Sequence, residues 1–396
     1  MTHALDGLKI ADFSWVGAGP RSTKDLADNG ALVIKIESRK RLDLGRMSPP
    51  FAKGDRKNPD ASAFFAQTNT SKKSITINLA DPQGVEIAKK LVAWADVVVE
   101  NFGPGFMERI GLGYEQLQQI RPGIILASVS VAGKTGPLGQ FRGYGNSAAA
   151  YSGSAEMTGW PDSPPHMTPF AYGDVVAPMF LTIAILSALE HKAKTGLGCH
   201  VDVSQIEAMA MCAGDLFAEM PAEKPANSDP LMAPHGVYRC EGDDAWIAIA
   251  CETDAMWQAL CSELGEATLA EQYPTATDRR THRDLIDTHL SRLVAGWDKQ
   301  ALEQTLAKAG VAAAAVIDGK ELSQHPDLRA AGHFLQIEHP VLGLCAMPAP
   351  PYQFSDTPFR VTAAPCLGAD NREVFEEMLG MSAQEVADLT AQGALS

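Results

Sequence analysis

Asp174 closes the stretch Ala171-Tyr172-Gly173-Asp174, directly ahead of the apolar run Val175 to Leu189. A carboxylate at the mouth of a helix has two uses. As an N-cap it accepts hydrogen bonds from the first free amides, and replacing such a cap by Ala costs about 0.5–2 kcal/mol. As a nucleophile it carries an acyl group through a covalent intermediate. Propensity alone favours the cap. The two roles are compatible, because helix amides would keep the carboxylate ionised, as a nucleophile requires.

Three other groupings could hold an anionic ligand. Arg39, Lys40 and Arg41 crowd one loop beside Glu37; such a run is either a solvated face or a phosphate holder. Glu100-Asn101-Phe102-Gly103-Pro104-Gly105 joins a strand end to a helix start. Ligands collect at strand C-termini in parallel sheets, and free helix amides attract anions; a plain turn punctuated by Pro and Gly has the same composition. Gly17 and Gly19 follow the first strand and Glu37 ends the second, which imitates a dinucleotide-binding fingerprint. Ser22 occupies its third glycine position, so a tight strand-to-helix turn accounts for the pattern and no nicotinamide site is expected. There is no H-E-x-x-H, G-x-S-x-G or Walker loop, and the ten histidines are scattered, so neither metal nor serine-hydrolase chemistry is expected.

The elements around these residues alternate. Leu8 to Phe13, Leu32 to Ile36, Ser74 to Leu79, Asp96 to Glu100 and Ile124 to Val131 read as buried strands. Between them lie helical stretches ending at Asp28 and Ala95 and one over Gly105 to Ile120. Asp81-Pro82 supplies an N-cap and a first-turn proline. Continuous Val/Ile runs alternating with helices predict an α/β fold: a Rossmann-like parallel sheet with helices on both faces. Residues 139–173 are irregular and rich in Gly, Ser, Pro and aromatics, which suits a functional segment. Val175 to Leu189 falls short of a bilayer span, contains Pro178, and reads as a core helix.

The chain of 396 residues is 45% hydrophobic and 20% charged, with a formal charge of −15. That predicts two domains with ample core. Residues 1–205 form the first part of a large domain, 206–234 a linker, 235–327 a small α+β domain, and 328–396 a return linker with the rest of the large domain. The acidity argues against nucleic acid and anionic membrane as partners. Seven widely spaced cysteines without a C-x-x-C, and an N-terminus without a secretory pattern, point to a reducing cytoplasm.

Several phrases occur together and in order: Leu5-Asp6-Gly7-Leu8-Lys9-Ile10, Val33-Ile34-Lys35-Ile36-Glu37, Lys73-Ser74-Ile75, Val98-Val99-Glu100-Asn101-Phe102, Tyr172-Gly173-Asp174, Lys194-Thr195-Gly196-Leu197-Gly198 and Pro365-Cys366-Leu367-Gly368-Ala369-Asp370. This set resembles the class III CoA-transferases, the group with formyl-CoA, carnitine-CoA and benzylsuccinate-CoA transferases. Asp12 to Pro20 and Thr158 to Asp162 most resemble the aryl- or alkylsuccinate branch. The resemblance implies an acyl-CoA donor, with succinyl-CoA the first candidate, a carboxylic acid acceptor, with a substituted dicarboxylate the first candidate, and coenzyme A as the group carried, with no metal. It puts the family's catalytic aspartate on Asp174. It implies CoA contacts at Val16, Ala18, Ile77, Leu79, Asn101 and Phe102, basic contacts to CoA phosphates at Arg109 and Arg142, and an active-site tyrosine at Tyr144. Ser38 stands where formyl-CoA transferase is basic, leaving Arg39 to substitute. Gly17 replaces that enzyme's glutamine, and its glycine-rich flap has no counterpart in Ile249 to Asp254. The resemblance further implies an interlocked homodimer, with a heteromer of paralogous subunits as the alternative. The α-methylacyl-CoA racemases share the fold, but their basic histidine aligns with Tyr144. A tyrosine with a pKa near ~10 is a poor base at neutral pH. A non-catalytic CoA-binding subunit is the third alternative.

Overall fold

The computed structural model describes residues 2–214, 224 and 226–396. Two units emerge: 1–156, 166–220 and 327–396 make the larger, and 157–165 with 221–326 the smaller. Part of the irregular stretch ahead of Asp174 thus groups with the smaller unit.

The larger unit is built on six strands: β1 (Lys9–Asp12), β2 (Leu32–Glu37), β3 (Lys73–Thr76), β4 (Val97–Glu100), β5 (Ile125–Ser130) and β6 (His200–Ser204). Their order is β3-β2-β1-β4-β5-β6, every pair parallel. Successive residues of a strand point to opposite faces, and here both faces are apolar. Ile10, Val33, Val97, Val99, Ile125 and Ala127 pack to one side. Ala11, Ile34, Ile36, Ile75, Val98 and Leu126 pack to the other. That double burial explains why these strands read as continuous Val/Ile runs rather than alternations.

Six helices matter to the site: α1 (Ala18–Asp28), α2 (Pro82–Trp94), α3 (Tyr114–Ile120), α4 (Gly145–Tyr151), α5 (Gly173–Thr195) and α6 (Gln205–Cys212). Leu26 and Ala27 of α1 and Val176, Ala177, Leu181, Ile185 and Ala188 of α5 cover the first face. Ile87, Ala88, Leu91 and Val92 of α2 and Leu117 of α3 cover the second. The stretch expected as one helix from Gly105 to Ile120 is two, Phe106–Arg109 and α3. Gly111 between them takes φ +73°, which ends the first piece at little steric cost.

Helix α5 has 23 residues, longer than its apolar run suggested, and is long and apolar enough to cross a membrane. It packs on the sheet instead, burying one side while Met179, Ile183 and Leu186 stay exposed. The segment read as a linker begins with α6, which packs on α4 through Met209, Ala148 and Ala149. In the returning segment, the strands Phe334–His339 and Gly343–Pro348 form an antiparallel hairpin. Val374 and Phe375, then Met381 and Leu395, complete the second core.

In the smaller unit, strands His235–Arg239, Trp246–Ala250 and Ala312–Ala315 form an antiparallel sheet. Ile247 and Ile249 pack on Trp257, Leu260, Ile286, Leu290, Leu302 and Leu306 of its helices. Strands and helices mix here as expected of residues 235–327, though the unit also takes in 157–165 and its main stretch starts at 221.

Candidate active site

Strand order reverses between β1 and β4, so the loops leaving their C-terminal ends diverge and open a crevice. Two side chains hold the lips of that crevice in register. Asn101, just past β4, accepts from the Trp15 N–H at 2.8 Å and donates to the Trp15 carbonyl at 2.7 Å. Trp15 meets Phe102 edge-on at 5.6 Å, and the Arg41 guanidinium sits over the Trp15 ring at 5.6 Å. Val16 adopts φ +64°, a left-handed conformation that a β-branched residue rarely takes. Its N–H is held by Asp43 Oδ1 at 2.9 Å, and Asp43 is in turn paired with Lys35 at 2.9 Å in the interior. Backbone strain of this kind persists where the surroundings over-determine it.

Beneath this loop lies a second buried pair. Lys72 Nζ contacts Asp12 Oδ2 at 3.0 Å, and both are wholly buried. Asp12 also accepts from the hydroxyls of Ser14 and Thr23. Lys72 donates to the Pro20 carbonyl at 2.9 Å and to Asn69 Oδ1 at 2.9 Å. Burial lowers the Lys72 pKa to about 8, against the pull of Asp12. The network clamps the β1–α1 turn from below.

The crevice is a cleft of ≈ 460 Å³. Trp15 to Ala18, Arg41, Leu42, Asn101 to Pro104, Val129 to Val131, Phe141 to Tyr144, Asp174 and Gln205 line it. Asp174 is the second residue of α5, and Tyr172 occupies the N-cap position without any side-chain cap. The expected capping role is therefore corrected: the carboxylate turns from its own helix toward α4 and α6. Gly145 N–H reaches Oδ2 at 3.3 Å, and Gln205 Nε2–H reaches Oδ1 at 2.7 Å. The electrostatics change with it. Burial raises the Asp174 pKa above the usual carboxylate value, and Gln205, Gly145 and the Arg21 charge only partly offset this. The carboxylate is thus poorly solvated and held by the first amide of α4 and by Gln205, not by the amides of its own helix.

Glycine is required where chains press on this group. A Cβ on Gly145 would lie 2.7 Å from Asp174 N and 2.9 Å from Cγ, and one on Gly17 would lie 3.3 Å from Asp174 Cβ and Cγ. Gly173 has a similar constraint, since its Cβ would lie 3.1 Å from Gly145 Cα.

Val16, Ala18, Asn101, Phe102, Arg142, Tyr144 and Asp174 meet in the cleft wall. Arg142 and Tyr144 are exposed at its rim. Arg109 lies beyond the wall, donating to the carbonyl of cleft residue Pro104 at 3.3 Å. Arg39 faces the C-terminal return, where its Nη2 donates to the Leu367 carbonyl at 3.1 Å; Arg41 is the base of that loop in the wall. Ile77 belongs to the hydrophobic core and Leu79 packs against it. Gln205, Asp43 and Trp15 were not singled out from sequence. Gln205 carried no signal, being a neutral residue at a strand-to-helix junction.

Known proteins resemble this chain over nearly its whole length. A sequence model described as CoA-transferase family III matches residues 5–371. Among similar proteins, the succinyl-CoA–D-citramalate CoA-transferase of Chloroflexus aurantiacus is 30% identical, over 98% of this chain and 97% of its own. A formyl-CoA:oxalate CoA-transferase of Rhodopseudomonas palustris is 31% identical over 100% of this chain and 98% of its own. A CaiB/BaiF family protein from Brucella suis has a solved structure that superposes with TM-score 0.87 at 30% identity, over 96% of this chain and 100% of that one. The chain belongs to CoA-transferase family III and is a CoA-transferase, acting on CoA thioesters.

Proposed function

We propose that this enzyme moves CoA from an acyl-CoA donor, succinyl-CoA being the first candidate, to a substituted dicarboxylic acid, with Asp174 as the covalent carrier. The observation that carries the reading is the half-buried Asp174 carboxylate in the cleft wall, with two donors on its oxygens.

The chemistry follows from that carboxylate. Asp174 attacks the thioester carbon and expels CoA thiolate, leaving a mixed anhydride. The thiolate attacks Asp174 Cγ and expels the donor acid, leaving an aspartyl-CoA thioester. The acceptor carboxylate attacks Cγ and expels the thiolate again. The thiolate then takes the acceptor's acyl carbon and frees Asp174. Each step exchanges one acyl bond for another, so a difficult transfer between two acids is split into steps of similar energy. A poorly solvated carboxylate is a strong nucleophile for this, since it has little water to shed.

Arg142 at the cleft rim, Arg41 over Trp15, and Arg109 close by supply positive charge for CoA phosphates in an otherwise acidic protein. Trp15 and Phe102 offer the apolar wall. Among the described residues no histidine lines the cleft, which speaks against proton abstraction by a His–Asp pair as in the racemases.

Met179, Ile183 and Leu186 form an exposed apolar stripe on α5, 56%, 60% and 42% accessible. Contiguous apolar surface of this kind marks an association site, and supports a homodimer. A relative named as the alpha subunit of a succinyl-CoA–L-malate CoA-transferase makes a paralogous partner the alternative. Seven unpaired cysteines suit a reducing cytoplasm.

The test is a screen by chromatography of CoA esters, pairing succinyl-CoA with a panel of dicarboxylates. A new CoA ester formed only when both substrates are present supports the reading. Solvent deuterium entering a 2-methylacyl-CoA with no acid present would replace it with racemisation.

A further inference from the structure

Strand β6 ends at Ser204, whose hydroxyl accepts from Glu207 N and caps α6. That cap fixes Gln205 as the first residue of the helix, 4% exposed. A carboxylate only accepts hydrogen bonds, so the Gln205 amide must turn its NH2 toward Asp174. Its carbonyl Oε1 is then committed to the other side, where it is buried with no hydrogen-bond partner among the described residues. A buried acceptor without a partner works against folding. Leu or Met would avoid that penalty but lose the hydrogen bond to Asp174, so what the amide contributes here is its contact with that carboxylate.

The transfer chemistry accounts for that contact. When the thiolate adds to Cγ of the mixed anhydride, the carbonyl electron pair moves onto one aspartyl oxygen. It returns as the bond from Cγ to the bridging oxygen breaks and the donor acid leaves. When the acceptor carboxylate adds to Cγ of the thioester, the same oxygen again takes the charge, and returns it as the thiolate leaves. The oxygen that stays on Cγ throughout is therefore an oxyanion twice per turnover. Oδ2, with its long 3.3 Å contact, is the freer to bridge, and Oδ1 lies 2.7 Å from Gln205 Nε2. Donors at about 2.7–3.1 Å from the developing charge, fixed before reaction, are the geometry of an oxyanion hole.

We propose that Gln205 is a catalytic residue of the transfer, its Nε2–H stabilising the negative charge that forms on Asp174 Oδ1 each time Cγ becomes tetrahedral. This rests on Asp174 being the carrier. The oxyanion hole here serves the enzyme's own carbonyl, not the substrate's.

Two variants test it. Gln205→Leu removes the donor and should lower kcat by about 10²–10³-fold, with KM for acyl-CoA little changed. Gln205→Glu keeps the shape but donates only when protonated. The introduced carboxyl and Asp174 then share one proton, so activity should fall as pH rises and that proton is lost. Gln205 has no proton to lose, so the wild type has no such alkaline limb. Wild-type kcat in Gln205→Leu, or an unchanged pH profile in Gln205→Glu, overturns the proposal. Mass spectrometry of wild-type enzyme mixed with acyl-CoA separates the two claims. With an adduct on Asp174 and an unimpaired Gln205→Leu, only the role of Gln205 fails. With no adduct on Asp174, both fail.

Discussion

Replacing Gly145 by Ala places a methyl group against the proposed nucleophile. The new Cβ would sit 2.7 Å from Asp174 N and 2.9 Å from both Cγ and Oδ2. Carbon atoms in contact prefer about 3.5–4.0 Å, so the overlap with Cγ is on the order of 0.6–1 Å. Either α4 retreats from α5 or the Asp174 side chain turns away. Retreat lengthens the Gly145 N–H contact to Oδ2, already 3.3 Å, while rotation breaks the bond to Gln205. Over-packing of this size costs about 1–3 kcal/mol of stability. A displacement of ~1 Å at a reacting group can cost about 10²-fold in rate. The assay is the steady-state rate of CoA exchange between two acids, followed by chromatography, with urea unfolding of the same preparation. Gly145→Ala should show both losses, and the rate loss should exceed that expected from unfolded enzyme. Gly17→Ala, whose Cβ meets Asp174 at 3.3 Å, should show a smaller version of the same effect. A Gly145→Ala enzyme with wild-type kcat refutes the claim that Asp174 must hold this position.

Three further outcomes are expected. The acid limb of kcat/KM should lie above the usual carboxylate range, because burial raises the Asp174 pKa and only the ionised form attacks; a limb at an ordinary aspartate value would show that Asp174 is not the group titrating. Arg142→Ala should raise KM for acyl-CoA about tenfold or more, the worth of a charge-assisted hydrogen bond of about 1.5–3 kcal/mol, while kcat for bound substrate persists; the increase should shrink at high salt. Lys72→Met leaves Asp12 as a buried charge without its counter-ion, and urea unfolding should show a loss of about 3–5 kcal/mol.

The parallel sheet was legible because both its faces are buried, which writes Val/Ile-rich runs into Val33–Ile36, where only Lys35 interrupts, and Val97–Val99. The turn at Gly17 was legible as a turn, but its reason was not. That reason is Asp174 approaching from more than 150 positions later in the chain, and no local pattern records it. The cap reading of Asp174 was a fair reading of propensity that tertiary contacts overrode. Tyr172 took the cap position, and the helix started one residue before the carboxylate. Helix Ala383–Gln392 was missed although Ser382 and Glu385 form a capping box, a signal present in the sequence. Arg39 and Arg41 could not be told apart by counting. Their separation depends on Trp15, which holds one over the cleft, and on Leu367, which takes the other. Gln205 was out of reach for a different reason: an amide shows its use only when the atom it faces is known.

A covalent bond to Asp174 is the step on which the proposed transfer depends. The enzyme is mixed with succinyl-CoA without acceptor, quenched with hydroxylamine, digested, and mapped by mass spectrometry. The expected result is a hydroxamate on the peptide bearing Asp174, lost in Asp174→Ala together with CoA transfer. Transfer by the Asp174→Ala enzyme at the wild-type rate, or a hydroxamate on any other residue, would contradict it.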